Sequence, residues 1–206
     1  MTPYPVHFNA ARPEHYSRVQ LLLRLVVFVA LGTLSVSFGT IFALVYIALP
    51  LYAAVRLASF GSAHAYVRED GPRVTKGLHW LASLFAWVGL VADRLPAREA
   101  HETVWLSVDE TMPQPTPGTA IVRILTSLPS ALVLMLLGWL GMFVWLWAAL
   151  SVLVAERVGP RAFHYLVGLQ RWSVRLLAYQ ACLVDIYPPF SFSEASPMLP
   201  EARAMA

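Results

Sequence analysis

Apolar and polar positions divide this chain into two similar halves. Residues 25–55 and 124–155 contain no Asp, Glu, Lys or Arg, giving charge-free runs of 31 and 32 residues. A membrane-spanning helix needs about 20 predominantly apolar residues. At about 1.5 Å per residue, either run would measure about 48 Å as one helix, well beyond a hydrocarbon core of about 30 Å. Each run is therefore expected to break, near residues 32–40 in the first and at Pro129 in the second. The pattern predicts a short interfacial helix and then a spanning helix in each half, over 17–31 and 34–57, and over 119–128 and 131–155. The alternating stretches at 6–10 (VHFNA) and 103–108 (TVWLSV) read as short strands. A second membrane helix is expected after each spanning one. The first is centred on 77–92, which is free of charge, and the second on 163–184, which carries Arg171 and Arg175.

The ends of these last helices align. Trp80, Ala86, Trp87, Asp93 and Pro96 match Trp172, Ala178, Tyr179, Asp185 and Pro188, each 92 residues further on. The expected fold is an all-α integral membrane protein of two repeats. Each repeat comprises a short strand, an interfacial helix, a long transmembrane helix and a second membrane helix, for about four transmembrane helices in all. Residues 1–98 form the first repeat, 99–190 the second and 191–206 a flexible tail. Internal repeats are a common way to build membrane proteins. Four passes put the N-terminus, central loop and C-terminus on one side, with Arg56, Arg68, Arg73, Lys76, Arg157 and Arg161 on the other. Positive charge hardly separates the two sides, so orientation stays open.

Composition agrees with a membrane setting: 58% of the 206 residues are hydrophobic and 13% charged, against about 25% charged in soluble domains. The first 18 residues are polar with three prolines, unlike a secretory leader, so the first apolar run is expected to stay in the protein. Cys182 is the single cysteine, which excludes an intramolecular disulfide and any multi-cysteine metal site. A net charge of +3 reads as loop charge beside membrane segments and gives no footprint for nucleic acid. No zinc-binding H-E-x-x-H, phosphate-binding glycine loop or G-x-S-x-G elbow occurs.

The remaining chemistry concentrates in RWSVRLLAYQACLVDIYPPF, residues 171–190. At helical spacing Arg171, Arg175, Ala178, Cys182 and Asp185 share one face. Arg175 would sit about 15 Å from Asp185 along the axis. Three readings remain open: both arginines reach headgroups from a shallow helix, an internal ion pair with Asp93, Asp185 or Glu156 locks the repeats together, or the stripe lines an ion or substrate site. Trp80, Trp105 and Trp172 suit a membrane interface. Trp139, Trp145 and Trp147 fall inside the long run, near Gly138 and Gly141, whose spacing permits close helix approach. His79 and His164 are weak candidate ligands for a haem or pigment; no cofactor or metal is otherwise expected.

Several motifs resemble one bacterial membrane-protein family, catalogued as domain of unknown function 4389. They are Tyr4-Pro5-Val6, Pro13-Glu14 and Ser17-Arg18 near the start, then Arg171-Trp172-Ser173, Arg175, Ala178-Tyr179, Asp185 and Tyr187-Pro188-Pro189-Phe190. The family usually has an asparagine where this chain has Leu177. The resemblance implies a bacterial inner-membrane location and no activity. The expected role is a non-enzymatic accessory or scaffolding subunit beside other membrane proteins and lipids. The alternative is a small transport or lipid-binding protein with a polar groove between the repeats. In both, Arg171, Arg175, Asp185, Asp93, Trp172 and Tyr179 are the structural or lipid-pairing candidates.

Overall fold

A computed structural model describes residues 4–35, 37–96, 103–109 and 113–193. Among them the chain is mostly helical, in the order β1 (Val6–Ala10), α1 (Arg18–Thr33), α2 (Phe38–Phe60), α3 (Ala63–Glu69), α4 (Gly71–Val88), β2 (Val104–Val108), α5 (Pro117–Thr126), α6 (Leu128–Ala155) and α7 (Pro160–Gln180). The expected elements are present, with shifts that local chemistry explains. Pro129 does not interrupt a helix; it occupies the first turn of α6, where its missing N–H costs nothing. Ser127 closes α5 and opens α6. A short helix, α3, joins α2 to α4. Gly61, at φ +67°, closes α2 in the left-handed conformation, and the Ser62 hydroxyl then accepts from the Ala65 N–H to start a new helix.

Of the four expected spans, two helices in the described residues are long and apolar enough to cross a membrane, α2 and α6. Their sides are largely exposed, with Leu44, Val55, Leu136, Phe143, Trp147 and Val154 facing outward. Helix α7 is the opposite case: 14 of its 21 residues are buried. It packs on α6, α4, α2, α5 and β1.

The layers follow from two amphipathic helices. One face of α7 carries Arg171 and Arg175, and the other carries Leu166, Val174 and Leu177. Helix α4 is divided likewise, with His79 on one face and Leu78, Ala82 and Phe85 on the other. Strands β1 and β2 pair antiparallel with Phe8 opposite Leu106. This ribbon lies on the polar faces: Arg171 Nε donates to the Phe8 carbonyl at 2.9 Å, and a His79 ring nitrogen lies 2.9 Å from the Val104 carbonyl oxygen. The apolar faces turn toward α2 and α6.

The expected division of charge between two sides is overturned. The Tyr16 N–H donates to the Glu156 carbonyl at 2.9 Å, and Arg18 pairs with the Glu156 carboxylate at 3.2 Å. The start of α1 thus lies beside the end of α6. In matching fashion, Ala120 at the start of α5 packs with Ala53, Ala54 and Leu57 at the end of α2.

Candidate functional site: two arginine clamps and an apolar cleft

Helices α4 and α7 end in the same way. After each, one non-glycine residue takes a left-handed conformation, Leu90 at φ 58° and Cys182 at φ 56°. The next N–H then reaches back into the helix, from Val91 to the Ala86 carbonyl (2.8 Å) and from Leu183 to the Ala178 carbonyl (3.1 Å). This is the Schellman pattern, which satisfies carbonyls a helix end would leave open. The two turns are 92 residues apart, the spacing read from the sequence.

A buried arginine holds each turn. Arg24, on α1, donates from Nε to the Trp87 carbonyl at 2.6 Å and from Nη2 to the carbonyls of Ala92 and Asp93 at 2.7 and 2.9 Å. The Asp93 carboxylate is 3.9 Å away, and the guanidinium lies over the Trp87 ring at 5.2 Å. Arg123, on α5, repeats the arrangement. Its Nη1 donates to the carbonyls of Tyr179 and Val184 at 2.6 and 2.7 Å, its Nη2 to the Asp185 carboxylate, and it lies 4.4 Å from the Tyr179 ring centre. The aspartates also accept backbone N–H groups before α1 and α5, from Ser17 at 3.1 Å and Gln114 at 2.7 Å. In the sequence Arg24 and Arg123 stand out only as the residues immediately before the two charge-free runs. The available signal was three apolar residues before each arginine, Leu21–Leu23 and Ala120–Val122, which continue the apolar pattern across it.

The expected stripe from Arg171 to Asp185 does not form. The left-handed Cys182 ends the helix first, so Asp185 leaves that face and pairs with Arg123. Arg171 and Arg175 fasten the chain that follows. Arg171 Nη1 donates to the Phe192 carbonyl, and Arg175 Nη1 and Nη2 to those of Ser191 and Ser193 at 3.5 and 3.1 Å, with the guanidinium 5.5 Å from the Tyr4 ring centre. Trp172, expected at an interface, is buried against Phe190 and Phe192 at ring distances of 5.2 and 6.2 Å. Residues 191–193 are held in place here; 194–206 lie outside the described residues. Tyr179 packs edge-on to Tyr187 at 5.6 Å.

The other candidates are engaged locally. His164 Nδ1 lies 2.6 Å from the Pro160 carbonyl oxygen. Trp80 and Trp105 are exposed, as are Trp139 and Trp147, whereas Trp145 donates to the Val88 carbonyl at 2.9 Å. Gly141 permits close approach of α6 to α7, since a Cβ there would meet Leu169 at 3.2 Å; at Gly138 it would meet nothing within 4 Å. A further cluster joins α2 to α4: Asp70 is buried against Arg56, with Arg73 at 3.4 Å and the Tyr52 hydroxyl at 3.1 Å. The Arg56 hydrogen bonds hold the Asp70 carboxyl below its usual range, against desolvation.

Between the first halves of α2 and α6 lies a cleft of about 710 Å³, within the range of small-molecule pockets. Phe38, Phe42 and Tyr46 form one wall, and Leu128, Met135, Gly138 and Met142 the other. The floor comes from Leu78, Leu81, Ala82 and Phe85 of α4 and from Gln170, Ser173, Val174 and Leu177 of α7. These eight fall in four pairs 92 residues apart; Val88, Leu166 and Leu169 also line the cleft, without such partners. The lining is overwhelmingly apolar, and its floor polar groups are already bonded, Gln170 to the Ala82 carbonyl and Ser173 to the Leu169 carbonyl at 2.9 Å. Neither Arg175 nor Asp185 lines this apolar cleft.

Residues 117–191, which cover α5, α6, α7 and the chain that follows α7 as far as Ser191, match the family model described as domain of unknown function (DUF4389). The resemblance read from the closing motif is shown over this stretch. No curated protein and no solved structure matches the chain.

Proposed function

We propose that the protein is a non-enzymatic integral membrane protein that holds lipid acyl chains in the cleft between α2 and α6. The cleft itself carries this reading. It is apolar, it is bordered by the two helices of membrane-spanning length, and it offers no free charge with which to fix a polar solute. A void of that size in hydrocarbon forfeits dispersion contacts along its whole lining, and an acyl chain restores them. Gly138→Trp tests this, because Gly138 lines the cleft and has open space beside it. Lipids retained by the purified protein are quantified by mass spectrometry. Wild type is expected to keep lipid that the variant loses; equal retention by both overturns the reading.

The paired clamps, the paired turns and the paired floor positions support a second element of the proposal, that residues 1–98 and 99–190 are diverged copies of one unit. A bacterial inner membrane is the proposed location. An accessory role beside a larger complex is favoured by one observation: Trp139, Phe143 and Trp147 form an outward stripe on α6, exposed by 66%, 63% and 69%. Crosslinking in native membranes tests it; a protein that purifies alone under mild detergent is not an accessory subunit. A pigment-binding role for His79 or His164 predicts visible absorbance of the purified protein.

A further inference from the structure

We propose that the protein enters the membrane from one side only, with the ribbon and the polar faces of α4 and α7 in water and α1, α2, α5 and α6 in the hydrocarbon of the adjacent leaflet. The argument starts at the ribbon. Two strands leave two open edges, and unpaired backbone groups at an open edge are not tolerated in hydrocarbon. The outward positions of this ribbon are polar apart from the exposed Trp105, with Asn9 and Ser107 exposed and His7 3.1 Å from the exposed Asp109 carboxylate. The ribbon therefore sits in water.

Its attachment points fix the helices beneath it. β2 bonds to α4 at His79, and β1 to α7 at Arg171, each near the middle of its helix. A helix whose midpoint lies under a water-exposed ribbon does not span the bilayer, so α4 and α7 lie along the surface. The long helices follow them at both ends. Phe38, opening α2, stacks on Phe85 near the end of α4 at 6.0 Å, and Arg56 near the end of α2 pairs with Asp70 just before α4. Helix α6 opens with Ser130 bonded to Tyr187, beyond the end of α7, and closes at the four-residue connection that leads into α7. Both ends of α2 and of α6 thus return to one surface, although each has the length and composition to cross. The apolar side chains agree: large exposed ones crowd α1, α2, α5 and α6, whereas α4 has only Trp80 and α7 has none among the described residues. The apolar cleft opens on the same side as these helices, since the other face of its floor is covered by the ribbon.

Single cysteines test this in a Cys182→Ala background. Arg68→Cys lies between α2 and α4, Arg157→Cys between α6 and α7, and Ser107→Cys on the ribbon; all three positions are exposed. Sealed right-side-out and inverted membrane vesicles are treated with a membrane-impermeant maleimide. All three are expected to label fully in one vesicle orientation and not in the other. A four-pass fold puts Arg68→Cys and Arg157→Cys on one side and Ser107→Cys on the other, and a fold in which only α2 and α6 cross puts Arg68→Cys and Arg157→Cys on opposite sides, so labelling that splits the three in either way overturns the proposal. So does a Ser107→Cys that is silent in both orientations yet labels after detergent. Extraction of the wild-type protein by alkaline carbonate, leaving none in the membrane, overturns it independently.

Discussion

The Nε of Arg24 donates to the Trp87 carbonyl at 2.6 Å, joining the second turn of α1 to the last turn of α4. Arg123 does the same for Tyr179 at the end of α7. Hydrogen bonds to charged groups contribute about 1.5–3 kcal/mol each, and Arg123 makes three. Arg123→Met is therefore expected to destabilise the protein by about 3 kcal/mol or more, read as a lowered Tm in detergent. A double-mutant cycle with Asp185→Asn should show positive coupling; independent effects would mean the pair is incidental.

Gly168 is needed for close packing. A Cβ there would lie 2.7 Å from Cβ and Cγ of Phe192, so Gly168→Ala must push the segment after α7 away. Overpacking of this kind costs about 1–3 kcal/mol. Adding Phe192→Ala removes the obstructing ring. The double variant should then respond to Gly168→Ala far less than wild type does in the same thermal assay.

The Asp70 cluster makes stability depend on pH in a defined direction. Because the folded protein holds this carboxyl below its unfolded value, the contribution is complete above about pH 4 and is lost as pH falls through the folded value. Asp70→Asn should lower stability at neutral pH by about 1–3 kcal/mol and flatten the acid limb of a pH–stability profile. An unchanged acid limb would assign the effect to other carboxylates.

Cys182 should be chemically silent in the folded state. Burial pushes its thiol up to about 11 from 9.0, and the thiolate is the reactive form. Labelling at neutral pH should be at least about a hundredfold slower than for free cysteine, from that two-unit difference alone, and should become fast on denaturation.

Much of the architecture was legible in the chain. Two long apolar runs gave α2 and α6, alternation gave both strands, and the 92-residue spacing recurs in the two left-handed turns and in the aspartates beside the buried arginines, which are themselves 99 residues apart. The readings that failed share a cause. The stripe from Arg171 to Asp185 assumed that the helix continues, but Cys182 turns left-handed at residue 182 and sends Asp185 to Arg123. Trp172 looked interfacial because tryptophan is common there, yet the chain folds back and buries it under Phe190 and Phe192.

What the sequence determined by itself is local: which stretches are apolar enough for hydrocarbon, where helices start and stop, and which positions recur. These follow from burial preference, capping and period, all short-range properties of consecutive residues. Only the tertiary structure decided which charge meets which partner. Arg24 and Arg123 reach carbonyls 63 and 56 residues away, and a guanidinium buried among carbonyls leaves no mark in its own neighbourhood that distinguishes it from one in water.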